Sequence, residues 1–299
     1  MPAKIYFVGA GPGAVDLLTL RAASLLRKAD VVLHDDLVPQ EVLDLCPATT
    51  EIINVGKRCG RHGRSQEQIN ALMIWHAADV EPPCRRERSG SLQAKSRAQR
   101  GISDVQSSAP TQRTIIRLKS GDPSVFGRLG EELDALRRAD VPFEVVPGIT
   151  AAAAAAASAG VTLTDRRAAS ALIVLTAHNC RNESLKQTIF DLARSTYAIY
   201  MPGPDYARTA RELLESGLDA ATPCAVISNA GRTNEESRFL MLENLALQKG
   251  IAAPALLIVG EVARREHSPK RHRDTEKIGS GRRFALINAD QKEPSNIAP

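Results

Sequence analysis

Ile5-Tyr6-Phe7-Val8 runs straight into Gly9-Ala10-Gly11-Pro12-Gly13, and this junction constrains the fold more than any other stretch of the chain. The apolar tetrad reads as a short buried strand. The small residues after it read as a turn whose backbone can approach a ligand closely. Leu17, Leu18, Leu20, Ala22, Leu25 and Leu26 then recur at helical spacing, so the chain opens as strand, loop, helix.

The alternation continues. Val31-Val32-Leu33 is a second strand, and His34, Asp35 and Asp36 sit at its carboxyl end, where ligand-facing residues gather in an open α/β sheet. A helix around 40–45, a strand at 52–55 and a basic loop at 56–64 follow, and Ser65 is placed to cap the helix containing Gln66, Ile69, Leu72 and Met73. From about 79 to 112 the chain is polar and loses its apolar period, which reads as a disordered insertion looping out of the domain. The pattern resumes with the strand Thr114–Leu118, a helix near 130–138 and a strand at 143–146. Beyond Pro147-Gly148, Thr150 is placed to cap an Ala-rich helix ending near Gly160, and strands fit 171–176, 198–201, 224–228 and 256–259, with a helix at 207–216. Strands alternating with helices twice over predict two α/β domains, 1–146 and 147–263, and a basic disordered tail at 264–299.

Composition removes several function classes. The Ala-rich run 151–157 is too short and too weakly apolar to span a membrane, and the opening residues lack the apolar core of a signal peptide. Five cysteines, scattered and without a CxxC, argue against a disulfide framework and a structural metal site and for the cytoplasm; no metal is expected. The net charge of +5 lies largely in the insertion and the tail, which read as solvated charge. No aromatic platform or known motif accompanies it, so nucleic acid is not the expected partner.

Taken singly, the candidate loops are ambiguous. Gly9–Gly13 is not a G-x-G-x-x-G fingerprint, and its proline removes an amide donor, so it is weak evidence for a nicotinamide cofactor. Ser120-Gly121-Asp122-Pro123 could hold a ligand through its acid or form an Asp-Pro turn, and Pro147–Thr150 stands at a helix N-terminus. All three fall at strand ends, which predicts one shared cleft.

The ordered set GAGPG…LLTLRA, HDDLV, VGKRCGRH, IIRLKSGDPSVFGR…GEE, FEVVPGITAA, YMPG, ISNA and PALLIVGEV strongly resembles the uroporphyrinogen-III C-methyltransferases, over about residues 4–263 without the insertion. The resemblance implies a two-domain tetrapyrrole methylase fold, a homodimer, and S-adenosylmethionine bound in the interdomain cleft. By position it implies donor contacts at Pro12, Ser120, Gly121, Asp122, Val125, Thr150, Ala151, Met201 and Ala230, with Asp35 as proton acceptor and Lys57 as proton donor. Transfer from a sulfonium needs in-line positioning more than an activated nucleophile, and a carboxylate can help remove the proton the pyrrole must lose. An acidic tetrapyrrole also calls for cations, and Lys57, Arg58, Arg61, Arg64, Arg117, Lys119, Arg128 and Arg166 are the candidates; His62 reads as structural.

Two departures bear on activity. Ser120 stands where the family has glycine, which would strain the loop if that position needs positive φ. The insertion precedes the strand that carries the same loop. A non-catalytic relative therefore stays open, and so does a sister methylase acting on a later intermediate, which the same donor cleft would serve with different substrate-side residues.

Overall fold

The structure, a computed structural model, describes residues 3–56, 64–78, 113–177, 194–203 and 205–265. Lys57, the expected insertion and the expected tail beyond Arg265 lie outside the described residues. The first sheet contains β1 (Ile5–Gly9), β2 (Val31–His34), β3 (Glu51–Asn54), β4 (Ile115–Lys119) and β5 (Phe143–Val146) in the order β3-β2-β4-β1-β5. Every pairing in it is parallel. Successive strand residues serve opposite faces. Ile5, Phe7, Leu33 and Ile115 pack on Ile69 and Met73 of α3 (Gln66–Ala77) and Leu136 of α4 (Leu129–Arg138). Val8, Val32, Ile116 and Leu118 pack on Ala22 and Leu26 of α1 (Leu20–Leu26) and Val42 and Leu43 of α2 (Gln40–Leu43). Burial on both faces is why these strands are apolar without alternation. Each large side chain removed from water contributes about 1.5–3 kcal/mol.

Local chemistry sets the helix ends. Ser65 and Gln68 form a reciprocal capping box at the start of α3, as the sequence predicts for Ser65. The side chain of Thr19 accepts from the Ala22 N–H at 3.1 Å and starts α1 after a 3₁₀ turn at Val15–Leu17. The expected apolar face is therefore shorter than Leu17–Leu26: Leu17 and Leu18 precede the helix, and Leu20 is 91% exposed.

The second sheet contains β6 (Ala171–Thr176), β7 (Ser195–Tyr200), β8 (Pro223–Ser228), β9 (Glu236–Met241) and β10 (Ala255–Val259), ordered β6-β7-β10-β8-β9. Only β6 and β7 pair in parallel; the other pairings are antiparallel. The alanines of α5 (Ala151–Ala159) pack on Ala198, Ala225, Ile227, Leu256 and Ile258. The other face carries α6 (Tyr206–Glu215), which buries Tyr206, Ala210 and Leu213. Gly160 at φ 65° ends α5, as its sequence position predicts. Among the described residues no helix is long and apolar enough to cross a membrane.

Candidate active site

β1 and β4 are neighbours, but their following connections leave over opposite faces, through α1 and α4. A crevice opens at such a point, at the carboxyl ends of the strands. Here the loops after β1 and β4 are stitched together: the Gly121 N–H donates to the Gly11 carbonyl at 2.8 Å and the Gly11 N–H to the Gly121 carbonyl at 3.2 Å. Asp122 extends the junction, accepting the Ser124 N–H at 2.8 Å on one oxygen and the Gly148 N–H at 3.0 Å on the other. A Cβ on Gly148 would stand 2.2 Å from the Gly121 carbonyl oxygen, and one on Gly9 would stand 2.5 Å from the Gly148 nitrogen. The loops after β1, β4 and β5 thus meet backbone to backbone. Pro12, Ser120, Gly121, Asp122 and Val125 are brought together there, and the Val125 N–H donates to the Asp122 carbonyl at 3.2 Å. Positive φ falls on Gly121, at 68°, and not on Ser120, so the strain expected from the serine is absent.

Asp35 follows β2 at the same edge. Arg117 Nη2 donates to its Oδ1 at 2.5 Å, and among the described residues nothing holds the other oxygen of this 29% exposed side chain. Arg117 Nε donates to Glu132 Oε1 at 3.0 Å and Lys119 Nζ to Glu132 Oε2 at 2.7 Å, so two cations and two carboxylates form a buried chain leading up to Asp35. Arg117 and Lys119 are only 3% and 2% exposed, which corrects their expected role as clamps for substrate carboxylates. Burial opposes charge on both. Asp35 and Glu132 outweigh it at Arg117, whose pKa is raised; at Lys119 burial and the neighbouring Arg117 prevail, and the pKa is lowered. Arg64, Arg128 and Arg166 remain exposed, with Arg128 paired to Glu131 at 2.6 Å. Lys57, Arg58, Arg61 and His62 lie outside the described residues. Gly56, just before Lys57, is so close to Asp36 that a Cβ there would stand 2.1 Å from the Asp36 nitrogen.

The second sheet contributes the ends of β7 and β8. Both run antiparallel to β10, with Tyr200 opposite Leu256 and Ser228 opposite Ala255, so Met201 and Ala230 emerge at one edge. Thr150 occupies the N-cap position of α5, but its side chain does not cap the helix. The Tyr200 hydroxyl does so instead, accepting the Ala152 N–H at 2.9 Å and lying 2.5 Å from Thr150 Oγ1. The Tyr200 ring also packs on Phe126 of the β4 loop at 5.1 Å between centroids. Sequence reasoning assigned Tyr200 no role, because a terminal strand tyrosine shows its partners only once α5 is docked. Of the five non-glycine described residues with positive φ, Phe126, Arg128, Met201 and Asn229 lie in the loops after β4, β7 and β8, and Asp140 lies between α4 and β5. Such strain clusters at functional sites. Burial pushes the Cys46 and Cys224 thiols up to about 11 and 12, which leaves neither available as a thiolate nucleophile near neutral pH.

Residues 4–246 match the family described as Tetrapyrrole (Corrin/Porphyrin) Methylases. The chain is 40% identical over 265 residues to a uroporphyrinogen-III C-methyltransferase of Paracoccus denitrificans, covering 87% of this chain and 81% of the relative. It is also 40% identical over 261 residues to siroheme synthase 1 of Cronobacter sakazakii, covering 87% of this chain and 49% of the relative, about half that protein's length. The uroporphyrin-III C-methyl transferase from Thermus thermophilus, solved with S-adenyl homocysteine, superposes with a TM-score of 0.67 at 34% identity, covering 87% of this chain and 98% of that one. A cobalt precorrin-4 methyltransferase shares the fold at 24% identity and a TM-score of 0.66, covering 88% and 96%. Sequence and architecture agree along the same stretch, and the chain belongs to the tetrapyrrole methylase family.

Proposed function

We propose that this chain transfers methyl groups from S-adenosylmethionine to two pyrrole carbons of uroporphyrinogen III, giving precorrin-2 for siroheme and cobalamin biosynthesis. The observation that carries the reading is Asp35: one oxygen is fixed by Arg117 and the other has no partner among the described residues, at the strand-end edge where the glycine loops converge. The cradle fits a donor. A Cβ on Gly121 would reach ordinary van der Waals contact with the Ala151 nitrogen, at 3.9 Å, so the loop after β4 and the start of α5, both proposed donor contacts, lie side by side. Pro12, Ser120, Gly121, Asp122, Val125, Thr150, Ala151, Met201 and Ala230 are the proposed donor contacts, in the cleft between the domains expected at 1–146 and 147–263. Asp122, with both oxygens engaged, acts there chiefly by holding the loops in register.

The bound sulfonium supplies an electrophilic methyl group. Asp35 orients the pyrrole through its N–H and stabilises the ring cation that carbon attack creates. It then accepts a proton as the ring returns to neutrality. Lys57 is the proposed proton donor, and exposed Arg64, Arg128 and Arg166 are the proposed partners of the substrate carboxylates. The working unit is proposed to be a homodimer. A precorrin methylase reading is less well supported, since that structural relative shares 24% identity against 34–40% for the uroporphyrinogen and uroporphyrin-III methylases.

Anaerobic incubation with uroporphyrinogen III and methyl-labelled S-adenosylmethionine tests the proposal. Two labelled methyl groups per macrocycle are expected. Folded protein that leaves uroporphyrinogen III unlabelled but methylates a later precorrin would overturn it.

A further inference from the structure

Arg232 lies just beyond β8, in a turn whose backbone is pinned from several sides. Its own N–H donates to the Asn229 carbonyl at 2.9 Å, its carbonyl accepts from the Glu235 N–H at 3.2 Å, and the Gly231 N–H donates to Glu235 Oε2 at 2.7 Å. From this base the side chain crosses to the first sheet. Nε donates to the Pro12 carbonyl at 3.1 Å, and Nη2 to the Leu37 carbonyl at 2.8 Å. One guanidinium therefore joins the loop after β1, the loop after β2 that carries Asp35, and the end of β8.

The backbone on both sides is shaped for this approach. A Cβ on Gly13 would stand 2.7 Å from Arg232 Nε, and one on Gly231 would stand 3.0 Å from both Pro12 Cγ and Leu17 Cδ1. Gly231 also sits at φ 74°, which disfavours other residues. Burial pulls the Arg232 pKa down and Glu41 opposes it, yet a guanidinium stays protonated at physiological pH. The acceptors named here are main-chain carbonyls, so the fork sets loop geometry rather than neutralising a carboxylate. A trans peptide holds its C=O and N–H on opposite sides. The contact at Pro12 therefore also sets the direction of the Gly13 N–H, which no acceptor among the described residues takes.

We infer that Arg232 is a positioning residue for donor binding: it clamps the Gly9–Gly13 loop and the Asp35 loop against the second sheet, holding the cleft in its donor-binding shape. This inference rests on reading the chain as an S-adenosylmethionine-dependent methylase. Losing the clamp lowers donor affinity first, since Arg232 touches neither Asp35 nor the proposed reacting atoms.

Calorimetric titration with S-adenosylhomocysteine measures that affinity with no tetrapyrrole present. Arg232→Met is expected to weaken binding about ten- to a hundredfold, the range for hydrogen bonds to a charged group. Arg232→Lys should fall between, since an ammonium cannot span both carbonyls in the same fork. Guanidinium at millimolar concentration should recover part of the loss in Arg232→Met. Arg211→Met, on the exposed face of α6, should bind as the wild type does. Hydrogen exchange at residues 10–14 and 36–38 should quicken in Arg232→Met and Arg232→Lys while β7, β8 and β10 exchange as before. Affinity within twofold of wild type in folded Arg232→Met overturns the inference. So does faster exchange spread evenly through both sheets, the mark of a merely structural role, and in a poorly folding Met variant Arg232→Lys decides by the same two measurements. Wild-type protein that binds S-adenosylhomocysteine but leaves uroporphyrinogen III unmethylated defeats the proposed function and leaves this inference standing; wild-type protein that binds none defeats both.

Discussion

Asp35 is held on one oxygen and, among the described residues, has no partner on the other, and the two roles can be separated by substitution. Asp35→Asn keeps the shape and removes the charge, so methyl transfer should fall about 10²–10⁴-fold, the usual span for a general acid–base group, with S-adenosylhomocysteine affinity unchanged. Parallel turnover and titration measurements check this. Arg117→Met should act differently. It strands Glu132 without its guanidinium partner and frees Asp35 to rotate, so urea denaturation should show a loss of about 3–5 kcal/mol. Tyr200→Phe removes only the hydroxyl that caps α5, and should cost about 1 kcal/mol of stability and weaken donor binding. The string Arg117-Leu118-Lys119 resembles a substrate clamp in sequence because a charge at a strand end carries no label for the face it occupies. Its alternation with Ile115, on the side that packs on α4, was the available signal; Glu132 as the partner emerged only from packing.

Backbone proximity decides the behaviour of the loops. Gly148→Ala would drive a methyl group onto the Gly121 carbonyl, main chain against main chain, with no flexible tip to yield. We expect it to destabilise by about 1–3 kcal/mol and to weaken S-adenosylhomocysteine binding, measured by denaturation and titration on the same protein. Most strands and helices were legible from their apolar period and capping residues. β9 was not: Glu236-Ser237-Arg238 offers no apolar alternation, and as an edge strand paired only with β8 it needs none. Thr150 has the type and place of a capping residue, but a competing hydroxyl from β7 takes that position.

At the scale of the whole molecule, pH should act through His76, buried on α3 with neither ring nitrogen hydrogen-bonded among the described residues. Burial lowers its pKa below 6.5, with Glu51 opposing and Arg113 assisting. Below about pH 6.5 the unfolded chain takes up a proton that the folded chain refuses, so stability falls as pH drops through that region toward the folded pKa. His76→Leu should flatten this decline. Denaturation curves at about pH 7.5 and 5.5 for both proteins check it, and equal losses in the two would remove His76 as the cause.

The sequence by itself determined the strand–loop–helix order and the family, because apolar period, capping and motif order are local or cumulative signals. It also pointed to the three strand-end loops as one cleft. Tertiary structure alone decided which charges were already spent on each other, which hydroxyl capped α5 and which arginine crossed between the sheets. Arg232 lies 220 residues from Pro12 along the chain, and no local pattern encodes a contact that exists only once strand-end loops from the two sheets meet.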